Sequence, residues 1–409
     1  MKSLYLALGL MTLSLTTYAA FLSPADRDSV EQQQQQLLRQ NQQQRESLER
    51  ATPSLHAAMP AQPEASDGPC FSIHRIALDG ATLIDPRQQQ KIVRPWLGQC
   101  MDIARITKLV NIISDWYISR GYITSRAFLT EQDLRSGVLH LTILEGKLEK
   151  IAMEGAAKRE LTMAFPGLEG HILNLRDIEQ GMEQINRTRA TPVQIEIQPG
   201  EKPGGSIVNL TATAEHPLLL SMSVDNSGQK STGSGQINAG LTGNNLLGLA
   251  DRWFVSGGRS SAFSNAKDAQ NIAAGVSIPY GYTLFDYSYS WNNYLSTLDN
   301  HGWIWRSSGD TETHRLNFSQ VLFRNGDLKT GLSAGLSYRT NHNYLDDVLL
   351  QSSSRKLTTL LFGLNHTQKM FAGITTFNPR FPAECRGLVP KVTVINRAIC
   401  QKRNSENGV

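Results

Sequence analysis

The sequence predicts an outer-membrane antiparallel β-barrel, preceded by two small α+β domains and an N-terminal helix. The first observation is that four aromatic residues alternate with four polar ones between Thr283 and Tyr294, which places the aromatics on one face of a strand. The second is that the same period of two returns at Leu328–Arg339, where Lys329 and Arg339 fall on the polar face. The third is length, because tilted strands of about ten residues cross a bilayer.

A soluble β-sandwich is the alternative for the aromatic stretch alone, since its aromatics could fill a dry core. The two basic residues of the second stretch favour a wet lumen, with the apolar row facing lipid. After the first twenty residues no apolar run approaches about eighteen residues, so no transmembrane helix is predicted. A membrane protein without such a helix closes a barrel, because lipid leaves unpaired backbone groups unsatisfied.

Composition agrees with this class. The chain has 409 residues, room for two or three domains, and a net charge of +4, which is too small to indicate nucleic-acid binding. Only 19% of the residues are charged and 33 are glycine, which suits long strands and tight turns.

The first 69 residues divide into three predicted segments. Residues 1–19 resemble a secretory signal peptide, with Lys2, an apolar run and small residues before a cut after Ala19, although a buried helix is the alternative. Residues 20–50 are rich in glutamine and predict a helix that is polar nearly all round, either solvated or lodged in a wet cavity. Residues 51–69 are rich in proline, alanine and serine and predict an extended linker.

Residues 70–147 predict the first α+β domain, because strand and helix patterns succeed each other around turn residues. Gly121 follows the apolar stripe of the second helix and acts as its C-terminal cap. Cys70 and Cys100 lie in an exported chain, so a disulfide worth about 3 kcal/mol is expected, with a free buried pair as the alternative. The predicted elements are a strand at Phe71–Leu78, a helix from Asp85, a helix with its stripe at Ile103–Tyr117, and strands at Tyr122–Leu129 and Val138–Leu144.

Residues 148–216 repeat this plan in a second α+β domain. Almost no linker separates the two domains at Glu145–Lys150, so we expect them to hold a fairly fixed angle. The predicted elements are a strand near Ile151, a helix from Asn174, and strands at Val193–Ile197 and Ile207–Ala214.

Several short motifs of this chain resemble those of one family. Together they resemble two-partner-secretion transporters, the TpsB branch of the superfamily that also contains the barrel-assembly insertases. Within that branch the chain is most similar to the outer-membrane transporters of contact-dependent growth inhibition toxins, which are hemolysin activator or ShlB-like proteins. The resemblance covers about residues 20–381 and rests on Gly121–Arg126, Leu134–Gly146, Asp225–Gly228, Thr232–Gly233 and Asn244–Asp251.

The resemblance implies a plug-like helix, a linker, two POTRA domains in the periplasm and a barrel in the outer membrane. It also implies a function, the passage of a large secreted exoprotein of the TpsA type to the cell surface without ATP. The protein is then a monomer in contact with outer-membrane lipid, and its partner is recognised through an N-terminal secretion domain. The sequence does not identify that exoprotein.

Two other classes stay open. A barrel-assembly insertase would share the POTRA domains and the barrel, but it usually has more POTRA domains and no glutamine-rich plug. A diffusion porin would explain the strands, but not the two periplasmic domains.

The candidate partner-binding surface is the strand predicted at Tyr122–Leu129 with the helix from Ile106 to Tyr117 beside it. The candidate residues on this strand are Tyr122, Thr124, Arg126 and Phe128. An extended client can add a strand at such a sheet edge by backbone hydrogen bonds, with side-chain pockets for selectivity. The alternative is that the neighbouring aromatic residues belong to the core.

A second set of residues is expected to shape the first barrel strands, with no binding role. No catalytic, cofactor or metal site is predicted, because the histidines are scattered and the G-x-S-x-G match at 331–335 runs through a straight strand pattern. The strand-shaping residues are Asp225, Asn226, Gly228, Asn245, Gly248 and Asp251.

Residues 217–381 predict the N-terminal part of the barrel, with eight strand candidates and the start of another at Ile374–Phe377. The eight candidates lie near Leu218–Asp225, Gln236–Thr242, Arg252–Gly258, Asn271–Ile278, Leu284–Asn292, His314–Phe323, Leu328–Arg339 and Leu357–Leu364. Alternation then stops, so residues 382–409 are predicted to be an aberrant tail in which Cys385 and Cys400 have no assigned role. The family's V-R-G-[FY] loop is missing from the sequence. We therefore expect a truncated, inactive chain. A closed eight-strand barrel is the alternative, and side chains would fill its lumen.

Overall fold

The computed structural model describes residues 23–50, 70–260, 266–370, 373–386 and 389–391. The predicted signal peptide and linker lie outside these residues, as does Cys400. Within the described ranges, no helix combines the length and the apolar character that a membrane crossing requires.

Helix α1 spans Pro24–Glu49 and is the glutamine-rich segment predicted from the sequence. Its 26 residues give a length of about 39 Å, enough to traverse the hydrocarbon thickness of a bilayer. Among its apolar side chains, Leu48 is buried and Leu38 is 67% exposed. A helix this polar has no continuous apolar stripe for a dry core, so its partners must be polar.

The first domain has a three-stranded sheet in the order β2-β5-β4, with β2 parallel to β5 and β4 antiparallel to it. Helix α3 begins after the N-cap Asp102, whose side chain accepts the Arg105 amide at 2.8 Å. Its buried face packs on Leu139 and Leu141 of the sheet. The elements are β1 (Phe71–Ser72), β2 (Arg75–Asp79), α2 (Pro86–Val93), β3 (Cys100–Met101), α3 (Ile103–Ser119), β4 (Arg126–Leu129) and β5 (Val138–Leu144).

The strand predicted at Tyr122–Leu129 is shorter than expected. Strand β4 covers only Arg126–Leu129, and Tyr122 begins a turn in which its carbonyl accepts the Ser125 amide at 3.1 Å. Gly121 has φ +94°, so the chain reverses sharply after α3, and residues 122–125 form the turn that leads into β4.

A disulfide joins Cys70 and Cys100, whose Cα atoms are 5.4 Å apart. Each cysteine adjoins the short β1–β3 pair, in which Ser72 lies opposite Cys100. The disulfide therefore closes a loop over the first half of the domain, next to the β1–β3 pair.

We expect neither cysteine to react with an alkylating agent when the unfolded, unreduced protein is analysed by mass spectrometry, because a disulfide has no free thiol. The matched control is the same sample after reduction, in which both should carry the label. Labelling of both positions before reduction would contradict the pairing.

The second domain has its sheet in the order β6-β8-β7, with β6 parallel to β8. Helix α5 starts where predicted, because the Asn174 side chain caps it by accepting the Arg176 amide at 2.9 Å. A short helix, α4, was not predicted, since its N-cap Ala157 has no side-chain bond and gives no capping signal. The elements are β6 (Lys147–Met153), α4 (Lys158–Ala164), α5 (Leu175–Asn186), β7 (Gln194–Pro199) and β8 (Gly205–Thr211).

All remaining strands belong to one antiparallel sheet of twelve strands, which is not closed within the described residues. The predicted strand regions are all present. The strands are β9 (Leu218–Asp225), β10 (Gln236–Asn244), β11 (Arg252–Ser260), β12 (Asp268–Tyr280), β13 (Thr283–Asn300), β14 (Trp303–Arg324), β15 (Leu328–Leu345), β16 (Val348–Leu349), β17 (Arg355–Met370), β18 (Gly373–Phe377), β19 (Arg380–Arg386) and β20 (Val389–Lys391).

The register separates the two faces of this sheet as the alternation predicts. Phe285 lies opposite Phe318, and these rings are 39% and 48% exposed on the outer, apolar face of the sheet. Ser288 lies opposite Arg315 on the inner, polar face. Side chains directly opposite on antiparallel strands share a face, so one face is apolar and the other is polar.

The sheet continues beyond residue 381, where the sequence predicts that it ends. Strand β19 pairs with β17 from Arg380 to Cys385, and β20 pairs with β19. Strands pair through the backbone N–H and C=O groups along their edges. Such pairing does not require alternating side chains, so the sequence pattern alone does not reveal it.

Candidate functional site

Helix α1 lies against the inner face of the sheet and is held near both ends. Near its C-terminal half, Asn378 Nδ2 donates to Asn41 Oδ1 at 2.5 Å and to Gln44 Oε1 at 3.1 Å. At its start, Gln229 Nε2 donates to the Pro24 carbonyl at 3.2 Å. The helix also packs on β13, β14, β17 and β18. Polar side chains of α1 therefore contact polar side chains on the inner face of the sheet.

The turn between β12 and β13 inserts between α4 and α5 of the second domain. Gly281 N donates to the Met163 carbonyl at 2.8 Å, and Gln184 Nε2 donates to the Gly281 carbonyl at 2.9 Å. Gly281 has φ +54°, and a Cβ there would lie 2.8 Å from Pro166 Cγ. Glycine is therefore required for this close approach.

Charged side chains surround this docked turn. Glu183 of α5 pairs with Arg324 Nη1 and Lys329 Nζ of the sheet, both at 2.5 Å. Burial alone would raise the pKa of Glu183, but the two cations outweigh it and lower the pKa to about 2. Arg324 also donates to Gln180 Oε1 at 2.9 Å. Glu183 is therefore ionised in the folded protein, and it ties the second domain to two strands.

Two further contacts extend this interface. The Tyr282 hydroxyl donates to Asp177 Oδ1 at 2.5 Å, and burial raises the pKa of that carboxyl although the hydrogen bond opposes the effect. Arg187 donates to Ser277 Oγ and lies 3.9 Å from Asp286. We name the residues Asp177, Gln180, Glu183, Gln184 and Arg187 with their sheet partners the mouth contact.

A cavity of about 560 Å³ opens beside the mouth contact. Its wall combines the C-terminal end of α1 with α5 and the inner face of the sheet. The cationic side chains at its wall are Arg50, Arg187, Arg189, Arg252, Arg324, Lys329 and Arg380. The second domain thus stands at the end of the inner face where α1 leaves it.

The two α+β domains meet at a tight joint, as the short linker predicts. The Leu175 amide donates to the Gly121 carbonyl at 2.9 Å, and the Leu173 amide donates to the Gly146 carbonyl at 2.8 Å. The Gly146 amide donates to Ser125 Oγ at 3.0 Å. The first two bonds cross between the domains and the third holds Gly146 within the first domain, so the angle is set by backbone contacts.

Glu145 organises the first domain next to this joint. Its Oε1 accepts the Thr82 amide at 2.8 Å, the Leu83 amide at 2.9 Å and the Tyr117 hydroxyl at 2.7 Å. Burial disfavours the charged form, but these hydrogen bonds lower the pKa of Glu145. Burial and this carboxylate together raise the pKa of Tyr117.

The four candidate partner-binding residues do not form one surface. Tyr122 packs on the first-domain core, with its ring 6.3 Å from that of Tyr117, and Thr124 Oγ1 is buried beside Gly146. Both side chains therefore contribute to packing in the first domain, and a partner-binding role for them stays a prediction. Arg126 and Phe128 share the outer face of β4, where Phe128 is 46% exposed.

The edge of β4 is also less open than a free edge. The Ala127 amide donates to Ser114 Oγ of α3 at 3.1 Å, so one outward donor of the strand is already used. A partner-binding role for Arg126 and Phe128 stays a prediction.

The strand-shaping residues lie at opposite ends of the first strands. Asp225 ends β9 at the end far from the second domain, where its Oδ1 accepts the Ser227 amide at 2.9 Å. The adjoining turn contains Asn226 and Gly228, and the Gly228 amide donates to the Ser234 carbonyl at 2.9 Å.

The other three residues close the turn between β10 and β11. Asp251 is fully buried, and its carboxylate accepts the Leu247 and Leu249 amides at 3.1 Å. Asn245 Oδ1 accepts the Ala250 amide at 2.9 Å, and Gly248 has φ +69°. These three residues therefore stabilise the turn that connects β10 and β11.

Sequence reasoning missed Glu145, Gly146, Glu183 and Gly281 as organising residues. Each acts on a partner from a distant segment, and no local pattern marks such a pair. Among the described residues, no group of three acidic, histidine or cysteine side chains is arranged to hold a metal ion.

Three family descriptions match successive parts of the chain. Residues 71–146 match a ShlB-type POTRA domain, and residues 147–199 match a POTRA domain. Residues 204–383 match the haemolysin secretion/activation protein ShlB/FhaC/HecB.

Curated relatives agree with these matches. The outer membrane transporter CdiB of Escherichia coli is 59% identical over 91% of this chain and 64% of its own length. The CdiB transporter of Dickeya dadantii is 46% identical over 94% of this chain and 69% of its own length. The chain therefore spans just under two thirds of the length of its Escherichia coli relatives.

Solved structures show the same architecture. CdiB from Escherichia coli superposes with a TM-score of 0.87 at 57% identity, covering 91% of this chain and 70% of that one. CdiB from Acinetobacter baumannii has a TM-score of 0.69 at 24% identity, covers 89% of this chain and 73% of that one, and supports the fold alone.

The predicted fold class is confirmed, and so is the predicted location in the outer membrane. Two POTRA domains precede the large antiparallel sheet of an outer-membrane β-barrel protein. The chain belongs to the ShlB/FhaC/HecB family of outer-membrane transporters.

Proposed function

We propose that this protein moves a secreted exoprotein across the outer membrane by two-partner secretion. The observation that carries the proposal is the mouth contact, which holds a POTRA pair beside the end of a polar, helix-occupied inner face. A polypeptide bound on the POTRA domains would then be released next to the lumen. The partner in this proposal is a TpsA-type exoprotein with an N-terminal secretion domain.

Recognition in the periplasm belongs to the POTRA pair in this proposal. Arg126 and Phe128 offer a cation and an exposed ring on one sheet face, near the joint that fixes the two domains. The joint supports recognition because a partner that spans both domains meets a surface of constant shape, which lowers the entropy cost of binding.

We expect residues 70–215, produced alone, to fold and to bind the unfolded N-terminal secretion domain of the exoprotein encoded beside this gene. Two separate buried cores support independent folding. Phe128→Ala should weaken binding about tenfold, as expected for loss of an aromatic anchor. Calorimetry of the purified fragment measures both.

Ile103→Ala is the matched control, because Ile103 is 68% exposed at the start of α3 and lies outside the candidate face. Binding no stronger than that of an unrelated POTRA pair would count against the proposal. The expectation of an inactive chain competes with this proposal. Producing this chain in a strain that has no other transporter of the family separates the two, because exoprotein at the cell surface would support the proposal and its absence would support the expectation.

A further inference from the structure

The hairpin formed by β13 and β14 is much longer than a membrane crossing requires. These strands have 18 and 22 residues, whereas about ten suffice for a tilted strand. Strand β13 pairs with β12 only as far as Leu295, and β14 pairs with β15 only from Ser307. The Arg306 carbonyl still accepts the Asp346 amide at 2.8 Å. Residues 296–305, which we name the exit hairpin, therefore stand clear as a two-stranded ribbon at the end of the sheet opposite the mouth contact.

The exit hairpin is apolar at its tip although it lies beyond the membrane. Leu298 is 53% exposed, Trp303 75% and Trp305 42%, and Leu298 lies directly opposite Trp305. The last outer-face aromatic of β13 is Trp291, and Leu298 is roughly 23 Å further along the strand. An exposed patch of large apolar side chains marks an interaction site, and tryptophan is prominent in such sites.

The outer face of the sheet becomes polar between the level of Trp291 and the level of Leu298. Trp291 lies opposite Glu312, and Asn293 lies opposite Asp310. A charge on the lipid-facing surface is costly, so the hydrocarbon core of the membrane must end before the level of these acidic side chains, on the side nearer the mouth contact. Lipid tails are therefore not the partner of the exit hairpin.

The apolar tip belongs to the face that lines the lumen. By strand alternation, Leu298 continues the row of Tyr294 and Ser296, each only 4% exposed, while Ile304 points to the other side. Helix α1 already packs on β13 and β14 along this inner side. The apolar surface thus continues a face that holds a polypeptide, and it lies where the lumen opens to the outside.

We infer that Leu298, Trp303 and Trp305 form a docking surface for an extended, apolar segment of the exoprotein as it leaves the lumen. This inference rests on the proposed function. Among the described residues, residues 303–305 of β14 pair only with β13, so one backbone edge remains for an added strand. Two indole rings beside that edge would hold aliphatic side chains of the added strand.

The test is photo-crosslinking in cells that produce the full chain together with the epitope-tagged exoprotein encoded beside its gene. A photoreactive phenylalanine analogue replaces Trp303 or Trp305 in turn. Ile304 is the matched control, because it is 72% exposed but points to the opposite side. We expect several-fold more exoprotein adduct from positions 303 and 305 than from 304.

The outcomes separate the two claims. Exoprotein at the cell surface with equal or no adduct at the three positions would overturn the docking surface and leave the proposed function standing. Adducts only to a second copy of this chain, to its own N-terminal segment or to lipopolysaccharide would also overturn it. Exoprotein absent from both the POTRA domains and the surface would overturn the proposed function and the inference with it.

A double substitution adds a functional readout. Trp303→Ser with Trp305→Ser should lower the amount of exoprotein at the surface while the amount of transporter in the outer membrane is unchanged. Ile304→Ser should leave both amounts unchanged. Equal secretion by the double variant and the unaltered chain would argue against the docking surface.

Discussion

Glu183→Ala is expected to detach the second POTRA domain from the sheet. The substitution leaves Arg324 and Lys329, which are 4% and 12% exposed, without their shared carboxylate. Removing one partner of a buried ion pair costs about 3–5 kcal/mol, and we expect about 3 because Glu183 itself is 22% exposed. Hydrogen exchange of helix α5 in the full chain measures the loss, since amides freed from a packed interface exchange faster.

Glu154→Ala is the matched control, because Glu154 lies in the same domain and its side chain is exposed. It should leave exchange in α5 unchanged. An exchange pattern in Glu183→Ala that equals the control would mean that the ion pairs do not hold the domain.

The same contact has a defined pH dependence. The folded pKa of Glu183 is about 2, below its ordinary value of 4.5, so the stabilisation is fully present above about pH 4.5 and is lost as the pH falls through 2. The domain should therefore stay docked from neutral pH down to about pH 5.

Gly146→Val is expected to destabilise the first POTRA domain where it adjoins the second. A Cβ at this position would lie 2.7 Å from Thr124 Cβ and 2.8 Å from the Thr124 carbonyl oxygen, which belongs to the backbone and cannot rotate away. Overpacking of this kind costs about 1–3 kcal/mol, and we expect the upper end because backbone must move. Thermal unfolding of residues 70–215 measures the change in stability.

Gly155→Ala is the control for this substitution. A Cβ at Gly155 meets nothing within 4 Å, although its φ of +74° adds some backbone strain. It should therefore destabilise the fragment by about 1 kcal/mol. A loss of stability in Gly146→Val no larger than in Gly155→Ala would show that the joint yields without cost.

Much of the fold follows from local patterns in the sequence. Alternation at Thr283–Tyr294 and Leu328–Arg339 identifies the strands and their two faces, because side chains at i and i+2 share a face whatever the strand pairs with. Asn174 marks the start of α5 and Gly121 marks the end of α3. Both can be identified from the sequence, because capping interactions involve residues only a few positions apart. The family motifs then identify the architecture.

The lengths and exact limits of several elements needed the structure. In the exit hairpin, β13 and β14 extend well past the predicted Leu284–Asn292 and His314–Phe323. The two strands continue to pair there, but neither has a buried face that would impose an alternation of apolar and polar residues on the sequence. Strand β4 is shorter than predicted because Tyr122 begins a turn and packs on the first-domain core, while Thr124 is buried beside Gly146.

The sequence by itself determined the order of the elements, the faces of the strands and the class of protein. The tertiary structure alone decided the functional contacts, such as Glu183 with Lys329, 146 positions apart, and Gln184 with Gly281, 97 positions apart. Local patterns report the conformation of neighbouring residues, whereas these pairs exist only because two separately folded parts are packed together. A carboxylate or a glycine in the sequence has many possible partners, and only the packing of the POTRA domain on the sheet selects one.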